Sequence, residues 1–306
     1  MNSKAIVTLC DSNYFELLNE LIDSININKE SNDVSICILD AGLRKDQLEI
    51  LKKKVYLIKK ANWDIKVPGY KVFKNEWLKS QVSRAFLPNY FPEFNKYLWI
   101  DCDAWVNSWN AVEMYFKACE KGKLGITQSI GPGYRILSKV KWIFGKIALI
   151  KTQNYKHAKS SGIDENIARK LAFAPHINIG VFSLEKDSPC WLVWQNILKK
   201  TLSKGKIFGS EGLAINIAVY HEGVDVEFLP LKCNWITSHL LPKYDQNKKT
   251  FVEPFLPNEK IGIIHLAAGI WKNNKDMRLD KNIKVEIETL DGKKIDKSLR
   301  FLENKK

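Results

Sequence analysis

Short apolar runs alternate with amphipathic stretches along the first part of the chain. The runs at 5–10, 34–39 and 55–58 have the length and composition of buried strands, and the stretches between them repeat apolar residues at helical spacing. Asn13 is the predicted cap of the first helix, with Glu16 three residues later. The order strand, helix, strand, helix, strand predicts parallel strands with helices on both faces.

The same alternation returns after a helix predicted at 75–86 and continues to residue 265. Strands are predicted at 97–100, 123–127, 176–184, 226–229 and 261–265, and helices at 111–120, 189–202 and 210–220. The sequence therefore predicts an α/β fold with a mixed, mainly parallel sheet flanked by helices.

Residues 128–175 interrupt this alternation and are predicted to be an insertion that acts as a lid or contacts an acceptor. Within it, residues 136–150 repeat apolar positions at helical spacing among basic residues, which predicts a basic amphipathic helix. Trp142 and the lack of acidic residues suit an anionic membrane surface or a lipid-linked acceptor. The alternative is an ordinary packed helix that covers the site. Residues 156–170 are polar and predicted to be mobile.

Composition narrows the possible partners. The chain has 306 residues, 45% of them hydrophobic, and a formal net charge of +14, which implies an anionic partner: nucleic acid, a membrane surface or a phosphorylated small molecule. Six scattered cysteines without a C-x-x-C pair or a leader predict reduced thiols in a cytoplasmic protein. No run of eighteen apolar residues is present, so we expect any membrane contact to be peripheral.

The strongest chemical signal is the end of the strand at 97–100. It stops at Asp101-Cys102-Asp103, and in extended backbone residues i and i+2 project to the same side. Two converging carboxylates repel each other unless a cation lies between them, and Mg²⁺ and Mn²⁺ prefer such oxygen ligands. The alternative is a solvated strand end with aspartate as a turn former.

Other polar residues are predicted near the same edge of the sheet. Asp11 follows the first strand, and ligands of open α/β sheets bind beyond the carboxyl ends of the strands. Arg84, on the helix that leads to Asp101, either reaches a phosphate or carboxylate there or is a surface residue. Asn178 and Gly180 lie in the strand at 176–184, where the glycine allows close approach of the backbone.

Two later segments add candidates. Glu211 lies near the predicted start of a helix. His265 ends a buried strand as an imidazole suited to a metal or a proton, and Gly269 and Lys272 follow it at positions suited to phosphate.

Together these motifs resemble the GT-A glycosyltransferases, most specifically the retaining family 8 of galactosyl- and glucosyltransferases, from the first strand to about Lys272. Asp11, Asn13 and Tyr14 match the family's uracil-binding Asp-x-Asn-Tyr, and Asp101 and Asp103 match its D-x-D metal motif. The segment Asn178-Ile179-Gly180-Val181 resembles the strand that lines the sugar site. His265 resembles the histidine that supplies a third metal ligand.

The resemblance implies a metal-dependent hexosyltransferase that uses Mn²⁺ or Mg²⁺ and a UDP-sugar donor. Its acceptor would be a glycan or lipid-linked saccharide in bacterial-type surface polysaccharide or lipopolysaccharide assembly, and the anomeric configuration would be retained. Residues 1–272 would form the catalytic domain. In this interpretation Glu211 and Asn178 are catalytic, while Arg84, Gly180, Gly269 and Lys272 bind the donor with Asp11, Asn13, Tyr14 and Asp101.

The sequence also departs from the family. One residue is added before Gly269, no Pro-Trp follows Lys272, and the family's Asp-Gln-Asp near the donor sugar is absent, with Glu211 the nearest match. After residue 273 the resemblance stops, and residues 273–306 are predicted to be an appendage with a hairpin around Asp291-Gly292 and a basic tail.

Two other functions remain open at this point. A sugar nucleotidyltransferase also needs carboxylates and a basic pocket, but the Gly-rich phosphate loop near its first strand is absent here. A noncatalytic protein could use the basic surface to hold nucleic acid or anionic lipid without any Asp-x-Asp motif. The glycosyltransferase interpretation predicts a cytoplasmic protein, at the inner face of the membrane if it binds lipid, and no nucleic-acid partner.

Overall fold

The computed structural model describes residues 3–72, 75–134, 139–272 and 274–301. Its strands are β1 Lys4–Cys10, β2 Ser35–Asp40, β3 Leu57–Lys60, β4 Lys96–Ile100, β5 Ala104–Val106, β6 Leu124–Gln128, β7 Lys139–Ile143, β8 Ile147–Lys151, β9 Ile177–Glu185, β10 Val226–Leu229, β11 Trp235–Ile236, β12 Lys243–Asp245, β13 Thr250–Val252, β14 Ile263–His265, β15 Trp271–Lys272, β16 Lys275–Asp276, β17 Val285–Glu288 and β18 Lys294–Lys297. Its α-helices are α1 Phe15–Asn26, α2 Lys45–Leu51, α3 Gly69–Val72, α4 Ser80–Ser83, α5 Leu87–Tyr90, α6 Trp109–Ala118, α7 Gln153–Ser160, α8 Glu165–Phe173, α9 Cys190–Lys204 and α10 Ser210–Tyr220. Single 3-10 turns lie at Ser12–Tyr14, Lys29–Asp33, Glu76–Lys79, Arg84–Phe86, Glu120–Gly122 and Leu231–Asn234.

The central sheet has seven strands in the order β10-β6-β9-β4-β1-β2-β3. Within it β9 runs antiparallel to both of its neighbours, β4 and β6, and the other pairings are parallel. The predicted mixed, mainly parallel α/β sheet is therefore confirmed.

Side chains alternate between the two faces of the sheet, so each strand contributes to two cores. In β1, Val7 and Leu9 pack into a layer that includes Trp194 of α9, while Ile6 faces a second layer that includes Leu18 of α1. Burial on both faces explains why the strand reads as a continuous apolar run.

A second, three-stranded sheet in the order β11-β14-β5 positions the candidate site. Its strands β14 and β5 are antiparallel, with His265 opposite Ala104. Because Ala104 directly follows Asp103, this register brings the end of β14 against the turn between β4 and β5.

The C-terminal segment packs against this second sheet. Met277 and Leu299 are buried in the same core cluster as Trp105, and the Trp105 indole nitrogen donates to the Leu299 carbonyl at 2.8 Å. The predicted hairpin around Asp291-Gly292 is confirmed by the antiparallel pairing of β17 with β18. The division into residues 1–272 and 273–306 stays a prediction.

Several local predictions were wrong. Residues 139–151 do not form a helix: β7 and β8 are an antiparallel hairpin, which turns at Phe144 and Gly145 with φ of 51° and 67°. The alternation of lysine with Val140 and Trp142 in β7 fits a strand as well as a helix, so the apolar spacing alone was misleading. Residues 136–138 of the predicted helix lie outside the described residues.

The polar stretch at 156–170 forms parts of two helices. Thr152 caps α7 by accepting from the Tyr155 amide at 3.2 Å, and Asp164 caps α8 by accepting from the Asn166 amide at 2.9 Å. Likewise Asp11, and not Asn13, accepts the first free amides before α1. The helix predicted at 75–86 is broken into 3-10 and α turns. Side-chain caps therefore mark the starts of α7 and α8, which the spacing of apolar residues did not predict.

Among the described residues, no helix has the length and apolar character needed to cross a membrane. All six cysteines carry free thiols, as predicted.

Candidate active site

Three groups that can bind a metal converge where β4 ends. The ligand atoms of Asp101, Asp103 and His265 all lie within 4.8 Å of one another. The His265 Nε2 atom is 3.4 Å from Asp103 Oδ1 and 4.0 Å from Asp101 Oδ2. The two carboxylates lie in the turn between β4 and β5, and β14 supplies the imidazole, so the site is built from both sheets.

Backbone and indole hydrogen bonds fix the two aspartates. The Asp101 amide donates to the Gly180 carbonyl of β9 at 2.8 Å, and the Leu266 amide donates to the Asp103 carbonyl at 2.9 Å. The Trp99 indole nitrogen donates to Asp101 Oδ1 at 2.7 Å. Trp99 lies two residues before Asp101 and so projects to the same side of the strand.

A chain of two asparagines orients the imidazole. The His265 Nδ1 atom is 2.8 Å from Asn234 Oδ1, and the Asn234 amide nitrogen donates to Asn178 Oδ1 at 3.1 Å. Because an amide oxygen only accepts, Nδ1 must carry a proton, and Nε2 then faces the carboxylates. Asn178 was predicted from the sequence, whereas Asn234, from the turn before β11, was missed.

Gly180 leaves room for the site. A Cβ atom at this position would lie 2.2 Å from His265 Cε1, 2.9 Å from Asp101 Oδ2 and 3.0 Å from Asn178 Oδ1. No side chain fits there while these three residues keep their places.

Arg84 is buried next to the same aspartate. Its side chain is only 4% exposed, and its Nη2 atom lies 3.3 Å from Asp101 Oδ1. The guanidinium stacks over the Trp99 ring at 4.7 Å and donates to the carbonyls of Ser80 and Ile179. Of the two alternatives left by the sequence, the structure therefore selects the carboxylate partner over a surface position.

Glu211 is a buried carboxylate at the start of α10. Its Oε1 atom is 4.0 Å from Arg84 Nη1, and its Oε2 atom is buried without a hydrogen-bond partner among the residues that the structure describes. Burial raises the pKa of Glu211 to about 7, although the Arg84 charge opposes this rise.

The charges of the three potential ligands are interdependent. Desolvation raises the pKa of Asp101 more than the Arg84 charge lowers it, and the Asp103 charge raises it further. Desolvation acts in the same sense on Asp103, but hydrogen bonding to His265 and the charges of His265 and Arg278 bring its pKa below the usual value. Two crowded carboxylates and one imidazole form a donor set that fits a divalent metal ion.

The residues predicted to read a base surround the end of β1. Asp11 accepts from the amides of Asn13 and Tyr14 at 3.0 and 3.3 Å and from the Asn13 side chain at 3.0 Å. The Tyr14 ring is half-buried beside Arg278, whose guanidinium carbon is 5.7 Å from the ring centre. Burial raises the pKa of Tyr14 to about 12.

Two cations of the segment after His265 lie in different surroundings. Lys272 is exposed, and its Nζ atom donates to the Lys284 carbonyl at 3.0 Å. Within this segment it is Arg278 that reaches the metal-ligand group, with Nη1 at 3.5 Å from Asp103 Oδ2. Arg278 lies beyond the stretch that resembles the family, so no motif pointed to it. The roles expected of Lys272 and of the other predicted site residues stay predictions.

Part of the chain resembles a known protein family. Residues 5–122 match the family model described as glycosyl transferase family 8. A search of curated proteins found no match.

Solved structures share the fold at low sequence identity. The galactosyltransferase LgtC in complex with donor and acceptor sugar analogues is 13% identical, with a TM-score of 0.53 over 86% of this chain and 87% of LgtC. The bifunctional glycosyltransferase WbbM is 16% identical, with a TM-score of 0.54 over 90% of this chain and 48% of WbbM. From the fold, the family match and the metal-ligand group, the chain is a glycosyltransferase of the GT-A type that resembles glycosyl transferase family 8.

Proposed function

We propose that this glycosyltransferase moves a hexose from a UDP-sugar to a glycan or lipid-linked saccharide, with retention of the anomeric configuration, in the assembly of a surface polysaccharide or lipopolysaccharide. The observation that carries the proposal is the convergence of Asp101, Asp103 and His265 beside the Asp11–Tyr14 turn. LgtC, a galactosyltransferase solved with donor and acceptor sugar analogues, supports a sugar donor and a sugar acceptor.

In this proposal, Asp101, Asp103 and His265 hold Mn²⁺ or Mg²⁺. When bound, such an ion offsets the negative charge that develops on the departing diphosphate. Tyr14 stacks on the uracil, and Asp11 or backbone groups read its edge, because stacking tolerates any base whereas edge contacts discriminate. The buried Arg84 holds Asp101 in place through the 3.3 Å ion pair.

The transfer step breaks the bond between the anomeric carbon and the β-phosphate oxygen, and the electron pair passes to that oxygen. The acceptor hydroxyl oxygen bonds to the anomeric carbon on the same face, and its proton passes to the departing phosphate oxygen. Glu211 in its ionised form stabilises the positive charge on the sugar ring through the unpaired Oε2 atom. Asn178 holds its place beside the sugar by accepting from the Gly180 amide at 2.9 Å.

Incubation with a panel of nucleotide sugars and Mn²⁺ tests the reaction, since of the three candidate functions only glycosyl transfer releases a nucleoside diphosphate. We expect release from a UDP-sugar that stops with excess chelator or in Asp103→Ala. Calorimetry in Mn²⁺ is expected to show tighter binding of UDP than of GDP or ADP. Full turnover in chelator, or equal affinity for the three nucleotides, would refute the metal or the uracil assignment.

The stereochemistry has a separate test. Proton NMR of the product from an α-linked donor is expected to show an α linkage. A β-linked product would mean inversion, with Glu211 as the base that deprotonates the acceptor.

We also propose that the hairpin formed by β7 and β8 touches an anionic membrane that carries the acceptor. Its tip exposes Phe144 by 93%, Trp142 by 62% and Ile147 by 58%, and Lys141 and Lys146 are exposed beside them. Aromatic side chains among lysines suit the interface of an anionic bilayer.

Co-sedimentation with vesicles tests this contact. The double variant Trp142→Ser/Phe144→Ser is expected to lose binding to phosphatidylglycerol vesicles, whereas Leu192→Ser, which removes an apolar side chain 64% exposed on α9, is the matched control. Wild-type binding to pure phosphatidylcholine vesicles that equals binding to phosphatidylglycerol would contradict the role of the lysines.

A further inference from the structure

A buried carboxylate holds Arg278 in a fixed position. Two nitrogens of its guanidinium, Nε and Nη2, donate to Asp276 Oδ2 at 2.9 and 2.7 Å, and its amide donates to Asp276 Oδ1 at 3.0 Å. The Asp276 side chain is only 3% exposed. Asp276 ends the short hairpin of β15 and β16, and Met277 after it is fully buried and bonded to the Ile270 carbonyl. The guanidinium therefore has little freedom to swing away.

Gly269 makes room for this carboxylate. A Cβ atom at position 269 would lie 2.5 and 2.8 Å from the two Asp276 oxygens, and the residue has a φ of +66°. Any side chain here would displace Asp276 as well as strain the backbone. The turn after His265 is thus shaped so that Asp276 can orient Arg278.

The remaining side of the guanidinium faces the candidate active site. Its Nη1 atom lies 3.5 Å from Asp103 Oδ2, and its carbon lies 5.7 Å from the centre of the Tyr14 ring. Arg278 therefore stands between a ligand of the proposed metal and the ring proposed to stack on the base. In a metal-bound nucleoside diphosphate the metal contacts the diphosphate and the ribose joins the diphosphate to the base, so a guanidinium nitrogen 3.5 Å from a metal ligand lies near the diphosphate oxygens.

We propose that Arg278, oriented by Asp276, binds the diphosphate of the donor and of the released nucleoside diphosphate. The inference rests on the proposed function, because it takes the metal and base positions from it. A guanidinium presents several donors in one plane and pairs well with phosphate oxygens. Lys272, the cation expected from the sequence, is instead engaged by the Lys284 carbonyl. Before the donor binds, Arg278 offsets the charge of Asp103.

Calorimetry on a set of single variants tests this role. With Mn²⁺ present, Arg278→Gln is expected to weaken UDP binding by about 10- to 100-fold, the usual loss for a hydrogen bond to a charged group. Arg278→Lys should recover part of this affinity, and Asp276→Asn should lose part of it because the guanidinium is no longer held. Lys275→Gln, which removes an exposed charge from the same hairpin, is the matched control and should bind UDP as the wild type does.

A second ligand separates a binding role from a structural one. Uridine lacks the diphosphate, so ligand-observed NMR should give the same uridine affinity for Arg278→Gln and the wild type. Equal UDP affinity in Arg278→Gln and the wild type would overturn the proposal. An Arg278→Gln variant that loses uridine affinity as much as UDP affinity would also overturn it. The same holds if Lys272→Gln weakens UDP binding and Arg278→Gln does not. If Arg278→Gln does not fold, Arg278→Lys and Asp276→Asn decide by the same comparison.

Inorganic pyrophosphate with Mn²⁺ distinguishes failure of this inference from failure of the proposed function. It carries no base, so its affinity should fall in Arg278→Gln even if the enzyme does not prefer uracil. If the wild-type protein binds UDP, GDP and ADP equally, and Arg278→Gln binds pyrophosphate more weakly than the wild type does, the uracil assignment is refuted and the role of Arg278 is supported. Equal pyrophosphate affinity in the wild type and Arg278→Gln would refute the role proposed for Arg278 and leave the proposed function untouched.

Discussion

Gly180→Ala is the smallest change that should disturb the site without replacing one of the proposed metal-binding residues. The added Cβ atom would lie 2.2 Å from His265 Cε1, so the ring would have to retreat by about 1.3 Å or more to reach ordinary contact. The ring has little room to do so, because it is 2% exposed and its Nδ1 atom is bonded to Asn234 at 2.8 Å. The strain should cost about 1–3 kcal/mol of folding free energy.

The effect on function should be larger than the effect on stability. A misplaced metal ligand or reacting group commonly costs about 10- to 100-fold. We therefore expect Gly180→Ala to unfold cooperatively at a slightly lower temperature, but to lose about 10- to 100-fold in Mn²⁺ affinity and in kcat/KM. Titration with Mn²⁺ followed by electron paramagnetic resonance measures the first quantity, and release of nucleoside diphosphate measures the second.

Gly212→Ala is the control for this experiment. A Cβ atom there meets only Ile179 Cγ2 at 3.9 Å, an ordinary contact, and alanine suits helix α10 better than glycine does. Wild-type metal affinity and turnover in Gly180→Ala would refute the close packing of His265 against β9. The same would follow if Gly212→Ala were as damaging as Gly180→Ala.

Three further changes test other parts of the site. Asn234→Ala removes the partner of His265 Nδ1 and should weaken Mn²⁺ binding by about 10- to 100-fold, as measured by the same titration. Trp99→Phe removes the donor to Asp101 Oδ1 and also leaves a cavity at a fully buried position, so both metal affinity and melting temperature should fall; wild-type metal affinity would contradict the role of the indole hydrogen bond. Burial raises the pKa of Glu211 to about 7, so the folded protein keeps a proton that the unfolded chain loses near pH 4.5. As the pH rises from about 4.5 to 7, the free energy of unfolding should therefore decrease by on the order of 3 kcal/mol. Glu211→Gln should remove this decline in denaturant titrations and be the more stable protein at pH 8, although less active; an unchanged pH profile would contradict the burial argument.

The metal-ligand group could be predicted from the sequence because strand ends are easy to locate. Asp101 and Asp103 follow an apolar run and His265 ends another, but only the resemblance to family 8 joined His265 to the two aspartates, because β14 lies outside the central sheet. The contact between His265 and Asp103 depends on the pairing of β14 with β5, two strands of three residues each. Such short strands carry too little pattern to be paired by sequence alone.

Asn234 and Arg278 could not be found in this way. Asn234 lies in a 3-10 turn 31 residues before its partner His265, and nothing in its neighbourhood distinguishes it from an ordinary turn residue. Arg278 is one of many basic residues in a chain with a net charge of +14. Its position depends on Asp276 and on the space above Gly269, which are properties of the folded turn.

The balance of charge in the site leads to a last prediction, on stability without metal. Asp101 lies next to Arg84 at 3.3 Å, and Asp103 lies next to Arg278 and His265 at 3.5 and 3.4 Å, so each carboxylate has a cationic or hydrogen-bonding partner in the protein itself. Isolated carboxylates held this close would repel each other and favour unfolding.

Because protein groups offset this repulsion, we expect the chelator-treated protein to remain folded. Removal of the metal should cost only the linkage term, about 2.7 kcal/mol at a metal concentration 100 times the dissociation constant. Thermal unfolding with and without chelator measures this difference, and circular dichroism reports whether the fold persists. Cooperative unfolding that disappears on chelation, as in small domains that need a structural metal, would mean that Arg84 and Arg278 do not balance the site and that the ion is part of the fold.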